Sequence, residues 1–160
     1  MNYFEPYINI DLDANGLNKG HIHFFLEKKW LDSEILKIPI YVINNGIGPT
    51  ILLTSGNHGD EYEGIITLTQ FIKELIPEKV SGKIIIIPYL NLPAVQKNKR
   101  ISPIDGKNLN RVWPGSKTGT ITERIVNWIS DNLFIKNYYF MDFHTGGRLL
   151  RLIPMSLFHN

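Results

Sequence analysis

Residues 50–64 read Thr50-Ile51-Leu52-Leu53-Thr54-Ser55-Gly56-Asn57-His58-Gly59-Asp60-Glu61-Tyr62-Glu63-Gly64. An apolar run of strand length ends in a glycine and hands over to a segment of helical period. In that segment Ile65, Leu68, Phe71, Ile72 and Leu75 fall on one face before Pro77 stops it. A second apolar run occupies residues 83–88. Strand 51–55, helix 61–75 and strand 83–88 make a βαβ crossover, which implies parallel strands covered by helices and so an α/β fold.

The flanking sequence extends this unit in both directions. Residues 21–26 and 38–43 are apolar or β-branched stretches of strand length, expected to lie antiparallel. Asn44-Asn45-Gly46 and Gly48-Pro49 then imply a hairpin or a sharp reversal into residue 50. On the far side, Thr120 and Glu123 form a capping-box pattern ahead of Ile125, Val126, Ile129 and Leu133, and a strand is expected over 138–142. The expected architecture is a mixed, largely parallel sheet flanked by helices. Residues 91–117 have no clear period and carry Pro93, Pro103, Gly106, Pro114 and Gly115; a long irregular loop inside a compact domain is usually functional or disordered. Arg100, Asp105, Asn108, Asn110, Arg111 and Trp113 favour the functional reading. No repeat or linker divides the chain, so residues 1–160 are read as one domain, with a β segment at 1–48 and an α/β core at 49–160.

Composition narrows the function classes. The 160 residues are 43% hydrophobic and 20% charged, enough for one core. A net charge of +2, with Lys and Arg scattered, disfavours nucleic acid as the main partner. The absence of cysteine excludes a disulfide scaffold, thiolate metal ligands and a cysteine nucleophile, so any metal must sit on His, Asp or Glu. The first ten residues lack a basic segment followed by an apolar core, and no apolar run approaches bilayer length, so no membrane partner and a cytoplasmic location are expected.

His58 and Glu61 sit where a buried strand passes into a helix, one helical turn apart if the helix begins there. Met141-Asp142-Phe143-His144-Thr145-Gly146-Gly147 repeats the setting at a second strand end. Strand ends of one parallel sheet present their loops on the same edge, so His58, Glu61 and His144 are expected to meet. Two His and one Glu, with a fourth position open to water, is a ligand set of catalytic zinc. One zinc ion is therefore the expected cofactor, although the same ligands accept other divalent ions. Asp142 is placed to accept the outer N–H of a ligand imidazole, His58 in the first instance unless the geometry reverses it. A histidine after a strand is more often an ordinary residue than a ligand, and His21, His23 and His159 are read that way. Arg100, Asn110 and Arg111 form a second constellation. A guanidinium can steady a developing oxyanion, and an Asn-Arg pair can hold a carboxylate by forked hydrogen bonds. The same residues could instead tie the loop to Asp105 or Glu123 by salt bridges, and spacing does not choose between the two.

Four segments together resemble the succinylglutamate desuccinylase and aspartoacylase family, which belongs with the zinc carboxypeptidases. They are Gly56-Asn57-His58-Gly59-Asp60-Glu61, Asn91-Leu92-Pro93-Ala94, Asp105-Gly106-Lys107-Asn108-Leu109-Asn110-Arg111-Val112-Trp113-Pro114-Gly115 and Asp142-Phe143-His144-Thr145-Gly146-Gly147. Within the family, the run 91–115 with Ser102-Pro103-Ile104-Asp105-Gly106 is most similar to the branch that deacetylates N-α-acetyl-L-2,4-diaminobutyrate in ectoine breakdown. The resemblance implies that His58, Glu61 and His144 bind zinc, that Arg100 polarises the scissile carbonyl and that Asn110 and Arg111 grip the substrate's α-carboxylate. It implies a deacylase acting on a small N-acyl amino acid; a metallocarboxypeptidase and an inactive metal-binding fragment are the competing readings. The family's general base is a Glu in its second half, ahead of a smaller β-rich domain. With the sequence stopping at Asn160, an N-terminal part of such an enzyme is expected, carrying the ligands without that base. A sheet ending early leaves an open edge that favours association, which admits a homo-oligomer.

Overall fold

A computed structural model describes residues 5–26, 35–134 and 139–157. The described strands are β1 (Tyr7–Ile8), β2 (Gly16–Phe25), β3 (Ile35–Asn45), β4 (Thr50–Ser55), β5 (Gly82–Ile87) and β6 (Tyr139–Phe143). They form one sheet in the order β1-β2-β3-β5-β4-β6. The helices are α1 (Tyr62–Glu74), α2 (Leu92–Gln96) and α3 (Ile121–Ile129), with a π-helical turn continuing α3 over Ser130–Phe134.

The expected mixed sheet with flanking helices is present, and the βαβ crossover is β4-α1-β5 with its strands parallel. β6 is also parallel to β4. The largely parallel character is confined to these three strands, because β1, β2, β3 and β5 pair antiparallel in succession. The reversal at residues 46–49 is sharp, as expected, but does not close a hairpin. β5 returns from α1 into the space between β3 and β4, and takes hydrogen bonds from both.

Strand alternation sends neighbouring side chains to opposite faces, and both faces are covered. Leu52, Ile85 and Ile87 join Ile22, Phe24, Ile38 and Ile40 under Ile121, Ile125, Val126 and Ile129 of α3. Leu53, Ile86 and Ile43 turn the other way, onto Leu68 and Ile72 of α1. Each such fully buried aliphatic side chain contributes roughly 1.5–3 kcal/mol relative to exposure. This double cover explains why β4 and β5 read as near-continuous apolar runs. α3 starts where the capping box placed it: Glu123 Oε2 accepts the Thr120 N–H at 2.8 Å. Asp105 adds a second anchor, accepting the Thr122 N–H at 2.9 Å and its hydroxyl at 2.7 Å. Among the described residues β6 pairs only with β4, and Tyr139, Phe140 and Met141 are exposed. No helix among the described residues is long and apolar enough to cross a membrane.

Candidate metal centre

β4 and β6 lie in parallel register with Thr54 opposite Asp142 and Ser55 opposite Phe143. Their carboxyl ends therefore deliver residues 56–61 and 144–147 to the same edge of the sheet. Gly56 takes a left-handed turn at φ +69° as the chain leaves β4. At Gly59 a β-carbon would stand 2.1 Å from the carbonyl carbon of Ala94 in α2, so only glycine lets the loop pass. The Gly59 N–H donates to the Lys99 carbonyl at 2.9 Å, which fixes that passage.

His58 and Glu61 reach each other through this turn rather than along a helix. Glu61 is the N-cap of α1, and His58 precedes the helix. Glycine-permitted turning does what helical spacing was expected to do. The coordinating atoms of His58, Glu61 and His144 all lie within 4.8 Å of one another. His58 Nδ1 is 2.8 Å from Glu61 Oε1, and His144 Nδ1 is 2.9 Å from Glu61 Oε2. His58 and Glu61 are buried at 2% and 3% exposure, whereas the His144 side chain is 32% exposed and leaves the cluster open on one side.

The residues fit a single divalent cation. His58 Nδ1 is buried and has only the Glu61 carboxylate beside it, so the two donor atoms are turned inward toward one point that His144 Nδ1 also reaches. Two imidazole nitrogens and a carboxylate form a borderline-soft donor set with one side free. The electrostatics agree with a site built for positive charge. Burial pushes the Glu61 carboxyl up, but hydrogen bonds from His144, His58 and the Thr145 N–H outweigh it and hold the group well below the usual carboxylate range. His144 is raised to about 10, first by its hydrogen bond to Asp142 and then by that to Glu61.

Asp142 serves His144, not His58. Its Oδ2 accepts from His144 Nε2 at 2.6 Å and from Asn57 Nδ2 at 3.1 Å, while Oδ1 accepts the Thr54 hydroxyl at 2.6 Å. The reason is local: His144 follows the end of β6 two residues after Asp142, so strand alternation carried past Phe143 puts both side chains on one face. His58 instead turns Nε2 to Asn108 Oδ1 at 3.2 Å. Thr54, Asn57 and Asn108 had not been singled out for this role. The only signal for Thr54 was a hydroxyl at the end of an otherwise apolar strand. Asn108 lies fifty residues from its partner, and no spacing argument reaches it.

Arg100 Nη1 pairs with Glu61 Oε1 at 2.8 Å while the side chain stays 51% exposed, which puts the guanidinium at the rim of the cluster. Asn110 and Arg111 are exposed on the 3-10 turn Leu109–Arg111, with Arg111 Nη1 donating to the Asn110 carbonyl at 3.0 Å. The alternative ties are not made. Asp105 is occupied by Thr122, and Glu123 by Thr120 and by Lys107 at 2.7 Å. His21 and His23 lie in β2, outside the cluster, and the buried ring of His23 stacks on Tyr7 at 4.4 Å. His159 falls outside the described residues.

Residues 47–160 match the succinylglutamate desuccinylase/aspartoacylase catalytic domain. Over 150 residues the chain is 40% identical to the N-alpha-acetyl-L-2,4-diaminobutyric acid deacetylase of Halomonas elongata, covering 94% of this chain and 44% of that protein. The chain thus spans less than half the length of this curated relative. A succinylglutamate desuccinylase from a Silicibacter species superposes with a TM-score of 0.85 at 40% identity, over 89% of this chain and 43% of the other. A product-bound ectoine utilization protein from Ruegeria pomeroyi gives 0.82 at 39% identity, over 88% and 43%. A metallo-carboxypeptidase from Burkholderia cenocepacia, at 14% identity and a TM-score of 0.58 over 69% of this chain and 33% of the other, shares the fold alone. The motifs at both strand ends and in the loop between them lie inside the matched region, and the chain belongs to the succinylglutamate desuccinylase/aspartoacylase family.

Proposed function

We propose that this chain supplies the zinc site and the carboxylate grip of an amidohydrolase that removes an acyl group, acetyl foremost, from a small N-acyl amino acid such as Nα-acetyl-diaminobutyrate. The observation that carries the reading is the convergence of His58 Nδ1, His144 Nδ1 and the Glu61 carboxylate, with one buried nitrogen lacking any other partner. The substrate class rests on the similarity to the Halomonas deacetylase and the Ruegeria ectoine utilization protein. Ectoine breakdown is the corresponding setting.

When bound, zinc supplies the Lewis acidity that makes water a nucleophile near neutral pH and polarises a carbonyl. The protein's own groups do the rest. Glu61, held ionised by its hydrogen bonds, binds the cation jointly with His58 and His144. Asp142 orients His144. Arg100, at the rim, faces the developing negative charge on the amide oxygen, where a preformed cation stabilises a transition state. Asn110 and Arg111 hold the α-carboxylate; a guanidinium and an amide offer donors in the fork that a carboxylate accepts. Glu63 is engaged elsewhere, accepting the Thr145 hydroxyl at 2.7 Å. The family resemblance puts the general base, a Glu, in the second half of such an enzyme.

The test pairs metal stoichiometry with turnover. The chain should bind one zinc, and His58→Ala should abolish it; failure to bind zinc refutes the site. Acetate release from Nα-acetyl-diaminobutyrate is then measured for this chain and for a relative of full family length. Turnover should be far lower for the 160 residues alone, and comparable rates would refute the need for the downstream Glu. Cleavage of short peptides in preference to acetyl amino acids would instead mark a metallocarboxypeptidase.

A further inference from the structure

Two of the three clustered side chains follow one strand: His58 and Glu61 come after β4, which has β5 on one side and β6 on the other. His144 comes after β6, which among the described residues has a strand on one side only. Sheet pairing thus constrains the third side chain less than the other two, and contacts outside the sheet decide where it stands. The start of α1 supplies two such contacts. At Gly64 a β-carbon would stand 2.8 Å from the Phe143 β-carbon and 3.2 Å from that of Ser55, so the helix seats directly on the ends of β6 and β4. Thr145 makes the second contact with both of its donors. Its N–H donates to Glu61 Oε2 at 3.1 Å and its hydroxyl to Glu63 Oε2 at 2.7 Å. An ionised carboxylate only accepts, so the direction of the second bond is fixed, and its length is that of a charge-assisted bond. Glu61 is buried and belongs to the cluster, whereas Glu63 is exposed and stands outside it.

We infer that Glu63 is a positioning residue: by accepting the Thr145 hydroxyl it pins the segment that follows β6 to the start of α1, which keeps the Thr145 N–H on Glu61 and His144 beside it. The inference rests on the metal reading of the cluster for its consequence at the ion, and on the contacts of Glu63, Gly64 and Thr145 for the tie itself. Glu63 acts here as an acceptor rather than as a charge. An amide oxygen at position 63 therefore serves, and a methyl group does not.

The experiment uses the whole chain as wild type, Glu63→Gln, Glu63→Ala, Thr145→Val and the Glu63→Ala/Thr145→Val double variant. Zinc affinity is read by competition with a chromophoric chelator, the geometry of the ligands by the visible bands of the cobalt-loaded protein, and the tie by amide hydrogen exchange at residue 145 without metal. Glu63→Ala and Thr145→Val should each bind zinc about 2–10-fold more weakly, the worth of one net hydrogen bond, with altered cobalt bands and an equally faster exchange of the residue 145 N–H. Glu63→Gln should stay within about twofold of wild type in all three. The double variant should lose no more than the worse single one, since both remove the same bond. A folded Glu63→Ala with the wild-type affinity, bands and exchange overturns the inference. So does a Glu63→Gln that falls as far as Glu63→Ala, or losses that add in the double variant; Thr145→Val and the exchange measurement decide the matter if a change at Glu63 prevents folding. A wild type that binds no zinc defeats the metal reading, and amide exchange then still decides whether Glu63 holds the segment after β6.

Discussion

Removing the Asp142 carboxylate should damage both the fold and the metal site, and the structure says by how much. Three donors end on this one group: the Thr54 hydroxyl, the Asn57 amide and His144 Nε2. Thr54 and Asn57 are buried at 0% and 1% exposure, so water does not replace the lost acceptor. In Asp142→Ala two buried donors are stranded at about 1–3 kcal/mol each, which sums to roughly 2–6 kcal/mol of stability. For a domain of this size each kcal/mol moves Tm by about 2–4 °C, so the metal-free melting temperature should drop by roughly 4–24 °C. His144, freed to turn, should weaken zinc binding by about 10–100-fold. Asp142→Asn separates the two effects. An amide oxygen can still face Asn57 and His144 while its NH2 faces the Thr54 hydroxyl, which can accept, so this variant should lose much less stability than alanine. Thermal melts followed by circular dichroism, and zinc competition with a chelator, measure both quantities. An alanine variant with unchanged melting temperature and zinc affinity would refute the assignment of Asp142 as the common acceptor.

The metal-free protein should bind zinc more tightly as pH rises. His144 holds its proton up to about 10, with Asp142 and Glu61 favouring the cation, so zinc must displace that proton at neutral pH. Affinity should rise about tenfold per pH unit below that value if one proton is released; a flat profile between neutrality and mild alkali would contradict it. The same shift, being upward, contributes stability to the metal-free fold that is full below the ordinary histidine range and is lost as pH rises through about 10. Urea midpoints across that window test it. Asp105→Ala should destabilise the fold by about 1–3 kcal/mol, because it strands the N–H and hydroxyl of the fully buried Thr122 at the start of α3. In the parent chain the Asp105 carboxyl is lowered, since hydrogen bonds from Thr122 outweigh the upward push of its burial, so its contribution should fade as acid protonates it below the ordinary carboxylate range. Arg100→Gln should leave zinc affinity unchanged or up to about fivefold tighter, since an exposed ion pair to Glu61 is worth about 0–1 kcal/mol and competes with the metal for the same oxygen. Weaker zinc binding in that variant would show that Arg100 supports the site rather than competing with it.

The parts of this molecule legible in the sequence are those in which local pattern and physical role coincide. The β4-α1-β5 crossover could be read because the apolar period changes from strand to helix to strand, with glycines and prolines at the joints. The cluster could be read because a strand followed by a histidine and glycines occurs twice, and parallel strands bring such ends together. What could not be read depended on which strands are neighbours. Nothing in residues 44–50 says that β5 will enter between β3 and β4, so a reversal and a hairpin look alike. The partner of Asp142 was likewise a question of register: Thr54 stands opposite it in β4, and its own pleat points it at His144. The antiparallel pairing of β3 with β5 hides for a similar reason: the alternation of Leu36, Ile38, Ile40 and Val42 in β3 tells which face is buried but not which strand lies beside it.

The two imidazoles differ in what holds them, and that difference divides the site. His144 is fixed by a carboxylate in the sheet, itself held by Thr54 and Asn57 from the neighbouring strand and its loop; its orientation belongs to the scaffold. His58 is fixed by Asn108, from a stretch that has no period of its own and is tied down by turns. Arg100, Asn110 and Arg111 come from that same stretch. The groups assigned here to the substrate are therefore tied to His58 through Asn108 and to Glu61 through Arg100, and not to His144. Changes in residues 100–111 should reach the metal through His58 and Glu61, while His144 keeps its place. An engineered or natural change of side-chain specificity in this loop thus carries a cost at the metal unless the Asn108 oxygen and the Asn110 N–H stay in register, which makes those two groups the fixed points around which the rest of the loop can vary.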